Sequence, residues 1–229
     1  TDNIDWVGDS YVLHKFDNYK IIDSAQKVEK NQFCNEANDE DLMIFSFYPT
    51  KPVGSLDGGM IVSNDFKKIK HFKEASLNGM SYNRNNWDRN IMFPGWKMYM
   101  SSFQSFIAHK NLEKLEDKDY SLLNIREFYN YELGYKNTSN HLYRINVESR
   151  ERFIKLLLKN NISSGIHYSG MHNNNIYRNI MKNSKYEKFK NTDAVEKTTI
   201  SIPFNEMLTE KETCFIVEFI KKSGYLINE

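Results

Sequence analysis

The sequence contains only two cysteines, Cys34 and Cys214, separated by most of its 229 residues. Such a lone pair is too small for a disulfide framework or a metal site and suits a reducing compartment, so we expect a cytoplasmic protein without a metal. Apolar runs are short as well. None approaches the roughly 18 residues of a membrane-spanning helix, and no charged start followed by an apolar stretch indicates a signal peptide.

An excess of charge of one sign is also absent, because 31 Lys+Arg residues nearly cancel 30 Asp+Glu residues. The net charge of +1 creates no global field that would attract nucleic acid or an anionic membrane, so we expect small molecules or protein as partners. The composition is 40% hydrophobic, which is enough for a real core in one large domain or two modest ones.

Short apolar strands alternate with amphipathic helices along the chain, which predicts an α/β fold. We divide the chain into residues 1–115 and a smaller C-terminal region, residues 116–229. Strands are predicted in YKIIDSAQ, where the strand ends at Asp23, and in LMIFSFY, GGMIVSN, HLYRINV, GIHYS and TTISIPF. Helices are predicted in DFKKIKHFKEASLNG, MYMSSFQSFIAHKNLEKLEDK, residues 120–133, SRERFIKLLLKNN and TEKETCFIVEFIKKSG.

The helix predicted in MYMSSFQSFIAHKNLEKLEDK carries several large apolar residues. Ser101 or Ser102 is expected to cap its N-terminus, because a serine hydroxyl accepts from a backbone N–H of the first turn. Its apolar face is expected to consist of Phe103, Phe106, Ile107 and Leu112.

Lys51 lies between an apolar strand and a glycine pair, in FSFYPTKPVGSLDGG. A lysine on a loop is most often a solvated surface charge. Here Pro52 favours an extended backbone at Lys51, so the preceding strand directs the lysine side chain. A lysine amine held in a cleft has a lowered pKa and becomes a nucleophile suited to a Schiff base. Lys51 is therefore a candidate nucleophile.

Asp23 ends the apolar strand in YKIIDSAQ, and the carboxyl ends of such strands collect ligand groups in α/β sheets. Alone, an aspartate at this point is more often a cap for the residues that follow. Together with Lys51 it allows another role, since a carboxylate facing a pyridine nitrogen keeps that nitrogen protonated. A lysine for the aldehyde and an aspartate for the ring nitrogen form the minimal pair for pyridoxal phosphate (PLP).

With these residues in place, the sequence resembles the DegT/DnrJ/EryC1/StrS family of sugar aminotransferases, PLP enzymes of the aspartate aminotransferase fold (PLP fold type I). The resemblance covers nearly the whole chain from about Lys20. It implies a mixed central sheet flanked by helices in residues 1–115, as the C-terminal part of a PLP-binding large domain, and a small α+β domain in residues 116–229. The segments that carry the resemblance are IIDSAQ, FSFYPTK, DGGMIVSND, FPGWKMYMSSFQSFIAHKNLEKLE, GIHYS and SIPF, in family order.

The resemblance implies roles for individual residues. Lys51 matches the lysine that binds the cofactor aldehyde, and Asp23 matches the carboxylate paired with the ring nitrogen. Gln26 matches a His/Gln near the ring and its 3-hydroxyl, and Ser46 matches a serine that binds the phosphate. His167 matches a position that often faces the substrate. Without the resemblance, Ser46 would be an ordinary strand residue and His167 a packing histidine.

The segment GWKMYM departs from the family, because many members carry Asn where this chain has Tyr99. In the family this segment reaches the cofactor phosphate of the neighbouring subunit. A tyrosine hydroxyl still donates a hydrogen bond but offers no amide fork. Lys97 is an alternative cation near the dimer interface, and a plain surface lysine is an equal alternative there.

The activity implied by the resemblance is transfer of an amino group from an amino acid, glutamate in most members, to a nucleotide-linked ketosugar through PLP and pyridoxamine phosphate (PMP). A homodimer with the site at its interface is expected. Two alternatives stay open: a ketosugar dehydratase on the same fold, and a non-catalytic binding or assembly subunit. Only about twenty residues precede IIDSAQ, where the family has several strands and helices, so the sequence is expected to be a C-terminal portion of a longer protein.

Overall fold

The computed structural model describes residues 8–81, 90–181 and 189–227. The chain divides into two compact units, Thr1–Asp117 and Lys118–Glu229. That division lies close to the expected boundary at residue 115. The assignment of the first unit to a PLP-binding large domain stays a prediction.

The first unit is built on a four-stranded mixed sheet with the order β1-β2-β3-β4. Strands β2 and β3 pair in parallel at the centre of the sheet. The edge strand β1 pairs antiparallel with β2, and the edge strand β4 pairs antiparallel with β3. The strands are β1 (Tyr11–Lys15), β2 (Lys20–Asp23), β3 (Leu42–Ser46) and β4 (Gly59–Val62). The helices of this unit are α1 (Gln32–Glu36), α2 (Phe66–Ala75) and α3 (Ser102–Glu113).

The register of the sheet separates its two faces. Asp23 on β2 pairs with Ile44 on β3, and Ser46 lies two residues after Ile44 on β3. Because strand side chains alternate, Asp23, Ile44 and Ser46 share one face, and Met43 and Phe45 lie on the other. Phe45 packs on a small core beneath that second face, formed by Phe47, Val53, Ala108 and Leu115.

Helices α2 and α3 begin at capped N-termini. Asp65 accepts hydrogen bonds from the backbone N–H groups of the first turn of α2. Ser101 forms a capping box with Gln104 at the start of α3, so Ser101 is the cap of that helix. Helix α2 is followed by Gly79 at φ +72°, a conformation that favours glycine.

The apolar face expected on α3 is largely exposed. Phe103 is 65% exposed, Phe106 58% and Leu112 50%. The small Ala108 is the buried residue of this helix instead, and it packs beside Phe47 and Val53. The large residues therefore supply apolar surface that the described part of this chain leaves uncovered.

The second unit packs helices around a two-stranded antiparallel sheet. Its strands are β5 (Tyr143–Asn146) and β6 (Thr199–Ile202). Its helices are most of α4 (Leu115–Leu133), whose first residues belong to the first unit, and α5 (Arg150–Lys159), α6 (Asn175–Met181), α7 (Lys190–Thr198) and α8 (Glu210–Ser223), with a 3₁₀ turn at Met171–Asn173. The core buries several side chains completely, among them Tyr143, Phe153, Leu157, Ile200 and Ile220.

The prediction of a strand in GIHYS is wrong. Only Gly165 pairs with the neighbouring strand, through reciprocal backbone hydrogen bonds of 2.9 and 2.8 Å with Ser201. The chain then leaves the sheet as the His167 ring turns toward the Ser201 hydroxyl. Helix α4 begins before residue 120, and β1, α1, α6 and α7 were not predicted from the sequence. None of the helices in the described ranges is both long and apolar enough to cross a membrane.

Candidate active site

Lys51 lies on the loop that follows β3 and is held by its own backbone. Its N–H donates to the Tyr48 carbonyl at 2.9 Å, which closes a tight turn. The next residues, Pro52 to Ser55, are buried, so the chain leaves Lys51 through the interior of the first unit. The Lys51 side chain therefore extends from a fixed base.

Helix α3 anchors the buried part of this loop. The Ser55 hydroxyl donates to the Gln104 carbonyl at 2.8 Å, and the Asn111 amide donates to the Gly54 carbonyl at 2.6 Å. Gly54 leaves no room for a side chain, because a Cβ there would lie 2.3 Å from the Pro49 carbonyl oxygen. Neither Ser55 nor Asn111 was predicted from the sequence, since each acts only through its tertiary partner.

The half-buried Lys51 amine has a pKa below its ordinary value of 10.5. Burial lowers the pKa because it disfavours the charged ammonium, and the charge of the Asp23 carboxylate opposes this effect. Burial dominates. A lowered pKa increases the fraction of neutral amine at physiological pH, which is the form that attacks a carbonyl carbon.

Asp23 is the last residue of β2 and is half-buried. Its Oδ1 accepts a hydrogen bond from the Ala25 N–H at 2.9 Å, the local capping interaction considered above. The same carboxylate acts electrostatically on Lys51, so the local bond does not account for all of its interactions. Asp23 ends β2, and Lys51 lies on the loop after the parallel strand β3, at the edge where α/β sheets bind ligands.

Ser46 and Gln26 flank this pair. Ser46 ends β3 on the face that carries Asp23, and its Oγ lies 3.4 Å from the Tyr48 nitrogen. Gln26 is half-buried in the turn that follows Asp23. The structure thus places Asp23, Ser46, Gln26 and Lys51 on adjoining segments of the first unit, and their individual roles stay predictions.

Tyr99 and Lys97 lie on an exposed segment before α3. Tyr99 is 53% exposed and lines a cavity of about 610 Å³ beside the edge strand β4. Lys97 is exposed and pairs through its backbone with Leu77. The residues that line this cavity include neither Asp23 nor Lys51. The cross-subunit roles considered for Tyr99 and Lys97 stay predictions.

His167 belongs to the second unit. Its Nδ1 lies 2.9 Å from the hydroxyl of the buried Ser201. Gly165 permits this placement, because a Cβ there would lie 2.5 Å from the His167 ring. This hydrogen bond agrees with the packing alternative for His167, and its substrate role stays a prediction.

A family model described as "DegT/DnrJ/EryC1/StrS aminotransferase family" matches residues 27–221, which is most of the chain. The chain belongs to the DegT/DnrJ/EryC1/StrS aminotransferase family. The matched region includes Lys51 and extends through both units of the structure.

Individual family relatives agree with this assignment. A UDP-4-amino-4,6-dideoxy-N-acetyl-beta-L-altrosamine transaminase of Campylobacter jejuni is 26% identical over 239 aligned residues, which cover 93% of this chain and 62% of the relative. A family aminotransferase structure from Brucella abortus superimposes with a TM-score of 0.73 at 21% identity, over 89% of this chain and 56% of that one.

A third relative, Spr1654 of Streptococcus pneumoniae, was solved in a PLP form. It matches with a TM-score of 0.76 at 22% identity, over 88% of this chain and 56% of its own. These structural matches confirm the predicted aspartate aminotransferase-like fold. The chain spans less than two thirds of the length of the three relatives.

A second polar cluster lies in the second unit, outside the segments that carry the family motifs of the first. The potential metal-ligand atoms of His172, Asp193 and Glu196 lie within 4.8 Å of one another. His172 Nε2 pairs with Asp193 Oδ1 at 2.7 Å, and the Asn173 amide donates to Glu196 at 2.6 Å. The hydrogen bond from His172 lowers the pKa of Asp193. These contacts explain the cluster as a hydrogen-bonded group of side chains.

Proposed function

We propose that this protein is a PLP-dependent nucleotide-sugar aminotransferase. The observation that carries the proposal is the electrostatic interaction of the Asp23 carboxylate, at the end of β2, with the Lys51 amine, whose pKa burial lowers, on the loop after the parallel strand β3. Family membership supports the same conclusion, because residues 27–221 match a family of aminotransferases.

The residues around Lys51 suit PLP chemically. The Lys51 amine is a nucleophile for the cofactor aldehyde, and the Asp23 carboxylate is an acceptor for a protonated ring nitrogen. Ser46 offers a hydroxyl to the phosphate, and Gln26 offers an amide beside the ring. The structure of the Streptococcus pneumoniae relative was solved in a PLP form, which supports the same cofactor.

In the proposed mechanism the residues of this chain bind, orient and transfer protons. PLP, when bound, supplies an electron sink that stabilises negative charge at the carbon bearing the amino group. Lys51 would hold PLP through its side-chain amine, and the same amine would take up the proton from that carbon and deliver it onward as general acid and base. Asp23 holds the proton on the ring nitrogen throughout.

The proposed substrates are an amino-acid donor, glutamate, and a nucleotide-linked ketosugar, and the product is a nucleotide-linked amino sugar. The Campylobacter jejuni relative is named a UDP-4-amino-4,6-dideoxy-N-acetyl-beta-L-altrosamine transaminase, and this name supports the substrate class. Lys51 argues against the dehydratase alternative, since dehydratases of this fold typically replace the lysine with histidine. The cytoplasmic location expected from the two cysteines stays a prediction.

A homodimer is proposed as the assembled state. Support comes from the segment that the family uses at its interface: Trp96 is 62% exposed, Met98 70% and Phe103 65%. Large exposed apolar side chains on neighbouring positions are typical of a surface that a partner covers. Sedimentation equilibrium of the full-length protein tests this state.

The direct test of function is an assay of the full-length protein with PLP, glutamate and a panel of nucleotide-linked ketosugars. We expect 2-oxoglutarate and an amino sugar in equal amounts, and loss of both products in Lys51→Ala. A deoxygenated sugar without 2-oxoglutarate would identify the dehydratase instead. No turnover and no cofactor binding would favour the binding subunit.

A further inference from the structure

A buried polar network contacts the turn of residues 24–27, which follows Asp23. Ser24 is fully buried and Gln32 is only 3% exposed. The Gln32 side-chain nitrogen lies 2.6 Å from Ser24 Oγ and 2.8 Å from Ser10 Oγ. Buried polar groups are costly unless they are paired, so the contacts around Gln32 define one arrangement of these side chains.

Ser24 connects this network to the candidate active site. Its hydroxyl donates to the Lys27 carbonyl at 2.9 Å, and the Lys27 N–H returns a bond of 3.3 Å to the Ser24 carbonyl. The Ser24 N–H also continues the pairing of β2 with β3 through a 2.8 Å bond to Ile44. These bonds close residues 24–27 into a turn that starts beside Asp23 and contains Gln26.

The opposite side of Gln32 requires an amide. Its Oε1 accepts from the Glu29 N–H at 3.0 Å, and its nitrogen lies 3.3 Å from a Glu36 carboxylate oxygen. Glu36 in turn accepts from the Lys27 ammonium at 2.9 Å. An amide supplies both the acceptor and the donors that these neighbours need, whereas a carboxylate supplies acceptors only.

We propose that Gln32 is a positioning residue, which acts through Ser24 to fix the turn of residues 24–27 and so orients Asp23 and Gln26 toward the cofactor ring. The inference rests on the proposed function for its cofactor, and on the hydrogen bonds of this chain for the turn itself. Gln32 lies outside the motifs that carry the family resemblance.

Two substitutions of Gln32 and one control test this inference. Gln32→Leu removes every hydrogen bond of the amide while keeping a similar volume. Gln32→Glu keeps the acceptor for Glu29 but loses the donors to Ser24 and Ser10 and adds a carboxylate beside Glu36. Thr213→Val is the control, because it removes a buried hydroxyl from the second unit, at a residue 5% exposed.

The first measurement is a spectroscopic pH titration of the covalent link between Lys51 and PLP in the full-length protein. A ring nitrogen that loses its proton makes the linked nitrogen more basic, so Gln32→Leu is expected to raise the midpoint by about one pH unit, in the direction of Asp23→Asn. The shifts of the two substitutions should not add in the double variant. An unchanged midpoint in Gln32→Leu, or the same shift in Thr213→Val, would overturn the inference.

The second measurement needs no cofactor. Hydrogen exchange of a peptide covering residues 21–28 should become at least about tenfold faster in both Gln32 variants, because the Ala25 and Lys27 amides lose their protection. Unchanged exchange would show that Gln32 does not hold the turn. A protein that never forms the covalent link contradicts the proposed function, and the exchange experiment still decides whether Gln32 fixes the turn.

Discussion

The Asp23 carboxylate raises the pKa of the Lys51 amine that burial lowers, and the effect of burial is the larger. Asp23 ends β2, and Lys51 lies on the loop that follows the adjacent parallel strand β3, so the two strands direct these segments to the same edge of the sheet. The Lys51 amine thus has a pKa that burial lowers and that the nearby Asp23 charge keeps from falling further.

This balance predicts that Asp23→Asn lowers the Lys51 pKa further, because the opposing charge is lost while the burial remains. Competitive labelling with acetic anhydride across pH, read by mass spectrometry for each lysine, measures the change. The exposed Lys67 is the control and should be labelled to the same extent in both proteins. A Lys51 midpoint at or above 10.5 in the unsubstituted protein would contradict the balance.

The same substitution tests the proposed role of Asp23 in catalysis. Asn is nearly isosteric and still accepts from the Ala25 N–H, so Asp23→Asn should leave the melting temperature almost unchanged. Turnover should fall by orders of magnitude, because an amide cannot stabilise a protonated ring nitrogen as a carboxylate does. Near-normal turnover would show that Asp23 is only a local cap.

Asp41 is predicted to be a structural anchor of the sheet. It is 1% exposed, and its two oxygens accept from the Lys20 N–H at 2.7 Å and the Asn38 N–H at 2.8 Å. Asp41→Ala leaves both N–H groups unpaired and should lower the free energy of unfolding by about 3 kcal/mol. Urea denaturation measures this, with the exposed Glu40→Ala as the control. A loss as small as that of the control would contradict the anchor.

The pH dependence of stability follows from the same carboxylate. Burial raises the Asp41 pKa, but the hydrogen bonds from Asn38 and Lys20 outweigh burial and hold the pKa below its ordinary value of 3.8. A lowered aspartate pKa stabilises the fold above the unfolded value, and this stability is lost as the pH falls through the folded value. Asp41→Asn should therefore flatten the decrease in stability below about pH 4. A decrease in stability that is equally steep in Asp41→Asn would contradict this role of Asp41.

The elements that were predicted correctly carry local signals. β2 and β3 are apolar runs bounded by turn residues, and the caps at Asp65 and Ser101 depend on residues three positions away or fewer. GIHYS failed because its apolar and aromatic letters favour a strand, while only Gly165 finds a pairing partner. The exposure of Phe103 also depends on what covers the helix, which periodicity does not report.

The candidate site was predictable only in part for a related reason. Lys51, Asp23, Ser46 and Gln26 stand in short motifs whose order the sequence displays. The groups that hold them depend on contacts distant in sequence, such as the bond from Asn111 to Gly54. Gln32 reaches Ser24 from a short helix in a polar stretch, so no pattern distinguished it from a surface residue.

The central claim is that Lys51 binds PLP covalently, and borohydride reduction of the PLP-loaded full-length protein followed by peptide mapping tests it most directly. We expect one pyridoxyl group per chain, on Lys51, and none in Lys51→Ala. Lys67→Ala, which removes an exposed lysine, should label like the unsubstituted protein. A pyridoxyl group on another lysine, or no reducible link in the unsubstituted protein, would contradict the account.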